Sequence, residues 1–176
     1  SLRKLSVECW AADGFISALQ SASARHANLN SPLPLIFTNL TRAAEIGANC
    51  YRLETAGKNL ILDAGMHPRR EGPEGLPLLD LLPSESVDAI VLSHAHQDHL
   101  GALPVLMRQQ SRAPVFMTEA TRQLSDQMLH NSANVMQFKT DAKEMPRPHF
   151  THREVDVCAK RWRVAPLHTR FDLTGE

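Results

Sequence analysis

The chain has 176 residues, enough for one domain with a substantial core, and its composition is that of an ordinary soluble globular protein. Lysine plus arginine equals aspartate plus glutamate, 19 against 19, which argues against a protein that coats nucleic acid through its overall charge. No apolar run approaches the roughly 20 residues that span a bilayer, so no membrane association is expected. Three widely separated cysteines predict reduced thiols rather than disulfides, and therefore a cytoplasmic location.

The first 32 residues are predicted to be an N-terminal extension. Residues 15–27 favour helix, and Pro32 and Pro34 end any helix before the body of the chain begins. Residues 33–176 are predicted to form the folded body of the chain.

Beyond residue 34, strand-like segments alternate with segments of helical spacing, which indicates an α/β layered fold. A turn at residues 56–59 should join two strands into a hairpin. The apolar run 88–92 predicts a central strand covered on both faces. Strands are predicted at 35–38, 48–54, 59–63, 87–93, 113–118 and 162–167, and helices at 76–82, 100–110, 119–131 and 153–161.

The run 93–99, SHAHQDH, lies between the central strand and the next predicted helix. Imidazole and carboxylate groups suit zinc and related divalent metals, which activate water for hydrolysis. His94 and His96 are two residues apart, so in an extended chain both side chains can reach one metal. Asp98 and His99 are adjacent and need a turn, which favours a second metal beside the first.

The segment HAHQDH at 94–99 resembles the HxHxDH signature of the metallo-β-lactamase superfamily. The segment LILDAG, which contains Asp63, resembles the first motif of that superfamily. Further segments are similar to its β-CASP branch, which includes cleavage-and-polyadenylation-type endonucleases, ribonucleases of the J type and DNA cross-link repair nucleases. These segments are residues 47–54, 62–65, 99–104 and 114–121.

The resemblance implies an αββα metallo-β-lactamase sandwich, of which residues 33–176 would form the N-terminal half. It also implies two zinc ions, one on His94 and His96 and the other on Asp98 and His99. Asp98 would in addition orient the attacking water. Asp63 would hold the histidine loop in place rather than bind a metal directly.

The later metal ligands of the superfamily have no counterpart before Glu176. His168 lacks the preceding glycine of the family's third motif and is interpreted as a surface histidine. The chain is therefore expected to be a piece of a longer enzyme and to be inactive alone. It should need the remainder of the domain, or a homodimer mate, to cover an apolar face.

The function predicted on this basis is that of a zinc phosphodiesterase acting on RNA, with DNA as the weaker choice. Two alternatives stay open. One is a hydrolase of the same superfamily that acts on thioesters, lactones or other small esters. The other is a non-catalytic interaction module that retains the fold.

Overall fold

The computed structural model describes residues 6–8, 34–42 and 47–173, the first three through their backbone only. Its main feature is a six-stranded mixed sheet with the order β2-β3-β4-β5-β6-β7, and β1 and β8 form a separate antiparallel pair. The strands are β1 (Ser6–Glu8), β2 (Ile36–Asn39), β3 (Tyr51–Thr55), β4 (Lys58–Leu62), β5 (Ala89–Val91), β6 (Val115–Met117), β7 (Trp162–Val164) and β8 (Arg170–Asp172).

One half of the main sheet is antiparallel and is built on the predicted hairpin. Strands β3 and β4 pair in a register that places Leu53 opposite Leu60, and β2 adds to the outer side of β3. The connecting residues Ala56 and Gly57 have φ values of 53° and 75°. Positive φ at both central positions gives the tight turn whose twist matches that of the flanking strands. The hairpin prediction is confirmed.

The other half of the sheet, from β4 to β7, is parallel. Parallel neighbours cannot be joined by a tight turn, so each pair needs a crossover connection. The crossovers contain 3₁₀ turns at Gly72–Gly75 and Leu79–Leu81 and four helices. The helices are α1 (Gln97–Leu100), α2 (Leu103–Gln109), α3 (Glu119–Asp141) and α4 (His152–Ala159).

Both faces of the central strands are covered. On the helix side, Ile61, Ile90 and Val115 join the large core that includes side chains of α2, α3 and α4. On the opposite side, Phe116 belongs to a smaller apolar cluster that Phe171 of β8 completes, with ring centroids 5.4 Å apart. This double burial explains the uninterrupted apolar run that precedes the histidines.

Helix α3 extends beyond its predicted end because its buried face continues past residue 131. Helix α3 begins as predicted, with the Thr118 hydroxyl accepting from the N–H of Thr121, but it ends at Asp141 instead of residue 131. Ala133 and Met136 continue its buried stripe through a polar stretch without Pro or Gly. Burial against the core therefore outweighs the weak helix propensity of the polar residues.

Two further differences concern short elements. The helix predicted at 76–82 is a single 3₁₀ turn, since Pro77 and Pro83 leave no room for regular helix. The strand predicted at 162–167 ends at Val164, and β8 follows as an element that the sequence pattern did not reveal. Strand β8 has only three residues, too few for a detectable alternation.

The predicted N-terminal extension lies almost wholly outside the described residues, and so does the helix expected at 15–27. Within it, the backbone of Ser6–Glu8 pairs with β8. Over the part of the chain that the structure describes, none of the helices combines the length and the apolar character that crossing a membrane requires.

Candidate metal centre

The histidine run lies where a central parallel strand ends. Strand β5 stops at Val91, and α1 begins at Gln97 with His96 as its extended N-cap residue. The carboxyl ends of parallel strands are the usual place for ligand sites in α/β folds, because loops gather there on a rigid base. The turn predicted around Asp98 and His99 is the first turn of α1.

Asp63, which directly follows β4, underlies the histidine run. It is 7% exposed and has a φ of +60°, a left-handed conformation that Asp adopts more readily than most residues. Its carboxylate accepts from the Ser93 N–H at 2.8 Å and from the Ser93 hydroxyl at 2.8 and 3.0 Å. It also lies 2.8 Å from Nδ1 of His99. One buried carboxylate therefore fixes the loop and one of its imidazoles.

These bonds determine which ring nitrogens carry hydrogen. An ionised carboxylate only accepts, so Nδ1 of His99 carries the proton that bonds to Asp63. The Ser93 hydroxyl uses its hydrogen on Asp63, so its oxygen accepts from Nδ1 of His94, 2.9 Å away. In both rings Nε2 is then left with a lone pair. A metal ligand needs this tautomer, with its other nitrogen held by an oriented acceptor.

The four candidate ligands lie close together. Nε2 of His94 is 3.0 Å from Nδ1 of His96, and the ring centroids of His94 and His99 are 4.1 Å apart. Nε2 of His99 is 3.5 Å from Oδ2 of Asp98. Two nitrogens bound tetrahedrally to one zinc ion would be roughly 3.3 Å apart, so the spacing and the donor types fit a zinc-like ion.

The donors are also bonded to one another in this structure. Nδ1 of His96 faces Nε2 of His94, and the amide of Asn49 contacts Asp98 and His99. Within residues 34–42 and 47–173, no group of three or more His, Cys, Asp and Glu side chains is arranged to hold a metal ion. The side chains would have to rotate to direct their lone pairs to one point.

The electrostatic surroundings differ between two of the histidines. Burial, followed by the neighbouring His99 and His96, lowers the pKa of His94. Burial would also lower the pKa of His99, but the hydrogen bond and charge of Asp63, together with the charge of Asp98, raise it overall. The carboxylates thus concentrate negative charge on the His99 side, which favours a bound cation there.

The structure adds residues that the sequence did not single out as part of the site. Ser93 links Asp63 to His94, as described above. The Gln97 side-chain oxygen accepts from the Ser132 hydroxyl at 2.9 Å and so ties α1 to α3. Asn49 contacts both candidate ligands of α1. In the sequence it is an amide in an otherwise apolar context before β3, within residues 47–54, one of the segments that resemble the β-CASP branch.

Other histidines are engaged elsewhere. Nδ1 of His67 accepts from the N–H groups of Arg69 and Arg70 at 3.0 Å. His130 and His152 face each other through Nδ1, 2.7 Å apart, and so connect α3 to the start of α4. His168 is exposed in the turn before β8.

A family model described as the metallo-beta-lactamase superfamily matches residues 44–160, two thirds of the sequence. The chain belongs to the metallo-β-lactamase superfamily. The predicted fold class and superfamily are confirmed.

Curated relatives point to a particular branch of the superfamily. Cleavage and polyadenylation specificity factor 73 of Drosophila melanogaster is 31% identical over 132 residues, which are 74% of this chain and 19% of that protein. Endoribonuclease ysh-1 of Neurospora crassa is 38% identical over 102 residues, 57% of this chain and 12% of that protein. The chain thus spans about a fifth or less of these relatives. Their names agree with the predicted resemblance to β-CASP nucleases.

Among solved structures, AidC, a dizinc quorum-quenching lactonase, is 18% identical, with a TM-score of 0.44. The matched region covers 69% of this chain and 44% of that one.

Proposed function

We propose that this chain is part of a metal-dependent phosphodiesterase that cleaves RNA. The observation that carries the proposal is the Asp63 carboxylate, which directs His99 and, through Ser93, His94 so that each keeps a lone pair on Nε2. A buried carboxylate behind imidazole ligands is the arrangement that makes histidine a strong and well-oriented metal donor. The names of the relatives, which include endoribonucleases, support RNA as the substrate.

Zinc is the proposed metal, with two ions. His94 and His96 would hold one ion, and Asp98 and His99 the other, as the sequence predicted. When bound, the ions would lower the pKa of water and stabilise negative charge on phosphate oxygens. Asp98, at the start of α1, would orient the attacking water by accepting a hydrogen bond, and Asp63 would keep both imidazoles in the ligating tautomer.

Several finer features remain predictions. RNA is favoured over DNA only through the likeness to endoribonucleases. Further metal ligands would come from the remainder of the domain or from a second copy of the chain. A cytoplasmic location is consistent with the buried, unpaired thiols of Cys50 and Cys158, whose pKa burial raises to about 12 in both cases.

The test uses the full-length protein that contains this chain. Zinc content and cleavage would be measured with an RNA, a DNA of the same sequence and a panel of small esters and thioesters. We expect about two zinc ions, chelator-sensitive cleavage of the RNA and little action on the other substrates. His96→Ala should lower the cleavage rate more than about 100-fold. Replacing a residue that only hydrogen-bonds to a metal ligand typically lowers metal affinity or activity by about 10- to 100-fold, and loss of a ligand itself should cost more.

His168→Asn is the matched control, because His168 is an exposed histidine with a φ of 56° that asparagine tolerates. Its cleavage rate should equal that of the wild type. RNA cleavage that survives His96→Ala, or that continues in excess chelator, would contradict the proposal. Preferential turnover of esters would favour the small-molecule hydrolase instead.

A further inference from the structure

The chain that follows β4 runs beside the candidate ligands of α1. The N–H of Ala64 donates to the carbonyl of His99 at 2.7 Å, and the N–H of Met66 donates to the carbonyl of Gln97 at 2.9 Å. The chain therefore follows α1 backwards and leaves it next to the candidate ligand that directly precedes Gln97. The loop at 67–71 begins at this point, which is the edge of the candidate metal centre.

His67 fixes the shape of this loop. Its Nδ1 accepts from the N–H groups of Arg69 and Arg70, each at 3.0 Å, and its own N–H donates to the carbonyl of Gly75 at 2.8 Å. The imidazole ring lies against Gly47, where an added Cβ would overlap it. The main chain at both arginines is therefore held in place, while their side chains are exposed.

The carboxylates near the loop are engaged with cations other than Arg69. Oε1 of Glu71 lies 2.7 Å from Nζ of Lys139 at the end of α3, and the hydrogen bond and charge of this lysine lower the pKa of Glu71. Oε2 of Glu74 lies 3.8 Å from Nη1 of Arg70. The ion pair with α3 also ties down the far side of the loop.

Arg42 adds a third guanidinium to this surface. Its Nε donates to the carbonyl of Leu76 at 2.9 Å, and its side chain lines a small cleft together with His67 and Arg70. The three arginines at 42, 69 and 70 are called the arginine rim below.

The arginine rim is a local excess of positive charge. Together with Lys139 it carries four positive charges, against two negative charges from Glu71 and Glu74, among the residues that the structure describes here. The whole chain is balanced, 19 against 19, so the excess is local. A basic surface beside a hydrolytic centre attracts a polyanion, and arginine binds phosphate through two parallel hydrogen bonds.

We propose that the arginine rim binds phosphates of the RNA strand next to the one that is cleaved, and so positions the strand on the metal centre. The inference rests on the proposed function in taking RNA as the substrate. Phosphates recur at every nucleotide, so a strand with one phosphate at the metal centre places neighbouring phosphates within reach of a loop that begins at its edge. Contacts to phosphates hold the strand without reading its bases.

The test measures binding of a phosphorothioate RNA, which resists cleavage, to the full-length zinc-loaded protein at several salt concentrations. Each phosphate contact to a single strand adds about 0.7 to the slope of log affinity against log salt. Arg69→Ala should lower that slope by about 0.7 and weaken binding by roughly fivefold, equally for RNAs of different sequence. Arg69→Lys should keep the slope because it keeps the charge, with a smaller loss of affinity because lysine cannot form the paired bonds.

Arg161→Ala is the matched control, because it removes the same charge from another exposed site. Arg161 directly precedes β7, which runs parallel to β5, so it lies at the end of the strands opposite to the histidine run. Its slope and affinity should equal those of the wild type. The zinc content of each variant reports whether the metal centre is intact, and Arg69→Ala should keep the wild-type content.

Equal slopes for the wild type and Arg69→Ala, or an equal fall in Arg161→Ala, would overturn the inference. Loss of zinc in Arg69→Ala would also overturn it, since the arginine would then act through the metal centre. A wild type that binds the RNA through Arg69 but does not cleave unmodified RNA would overturn the proposed function and leave the rim standing. A wild type that cleaves RNA with the same KM as Arg69→Ala would overturn the rim and leave the proposed function standing.

Discussion

Oδ2 of Asp63 lies 2.8 Å from Nδ1 of His99, 36 residues further along the chain. The contact joins the residue after β4 to the first turn of α1. It forms because β4 and β5 are parallel neighbours, so their carboxyl ends lie side by side. Asp63 is thereby placed under a loop that follows the next strand of the sheet.

The first prediction concerns this contact. Asp63→Asn keeps the size of the side chain but removes the charge that holds hydrogen on Nδ1 of His99. We expect zinc affinity to fall by about 10- to 100-fold, measured by chelator competition. Asp80→Asn, in the 3₁₀ turn Leu79–Leu81, is the control and should bind zinc as the wild type does. Affinities within about threefold for both variants would mean that Asp63 does not support a metal ligand.

The second prediction concerns Gly65. A Cβ at this position would overlap the backbone carbonyl of Asp98, and no flexible side chain can yield there. Gly65→Ala should therefore cost about 2 kcal/mol or more in unfolding free energy. It should also weaken zinc binding, because α1 must shift. Gly57→Asn, in an open turn with φ of 75°, is the matched control and should change neither quantity appreciably.

The third prediction concerns Gln110, which is fully buried. Its Oε1 accepts from the N–H groups of Ser86 and Val87, and its Nε2 donates to the carbonyl of Pro83. Gln110→Leu leaves the N–H groups of Ser86 and Val87 without their acceptor, while the Pro83 carbonyl keeps the Ser86 hydroxyl. We therefore expect the free energy of unfolding, measured by chemical denaturation, to fall by about 3 kcal/mol. Gln109→Leu should change stability by about 0.5 kcal/mol or less. Comparable losses in both variants would show that the buried hydrogen bonds are unimportant.

The fourth prediction concerns the pH dependence of stability through Glu154. Burial alone would raise its pKa, but hydrogen bonds from Arg108 and Thr151 outweigh burial and hold the pKa below the usual value of 4.5. A carboxyl whose pKa is lower in the folded protein stabilises it above the unfolded pKa and loses that effect as the pH falls through the folded pKa. The contribution should therefore be complete at neutral pH and decline below pH 4.5.

Thermal unfolding of Glu154→Gln measures this contribution. Loss of the Glu154 hydrogen bonds at the N-cap of α4 should lower the free energy of unfolding by roughly 1 kcal/mol at pH 7. The variant should therefore unfold at a temperature about 2–4 °C below that of the wild type. The difference should shrink below pH 4.5 and vanish once Glu154 is protonated in the folded protein. Glu144→Gln, at an exposed glutamate, should follow the wild type at every pH. A difference that stays constant down to low pH would assign the effect to packing instead of charge.

Local sequence determined the hairpin and the central apolar strand, and it gave the candidate metal ligands at 94–99. Turn residues, apolar runs and ligand spacing each involve only a few neighbouring residues, so they can be recognised from the sequence without knowledge of the fold. Helix α3 was predicted to be too short, because the side chains that bury Ala133 and Met136 come from distant parts of the chain. The short strand β8 was missed for the same reason: only its pairing with β1 defines it.

The sequence by itself therefore determined the family and the residues predicted to bind a metal. Only the tertiary structure decided how those residues are held. Asn49 precedes β3 and Asp63 follows β4, so both residues lie at the open end of the hairpin. The parallel pairing of β4 with β5 brings this end of the hairpin against the histidine run, which the Asp63 carboxylate and the Asn49 amide contact. Contacts between residues so far apart in sequence depend on strand order and register, which no local pattern encodes.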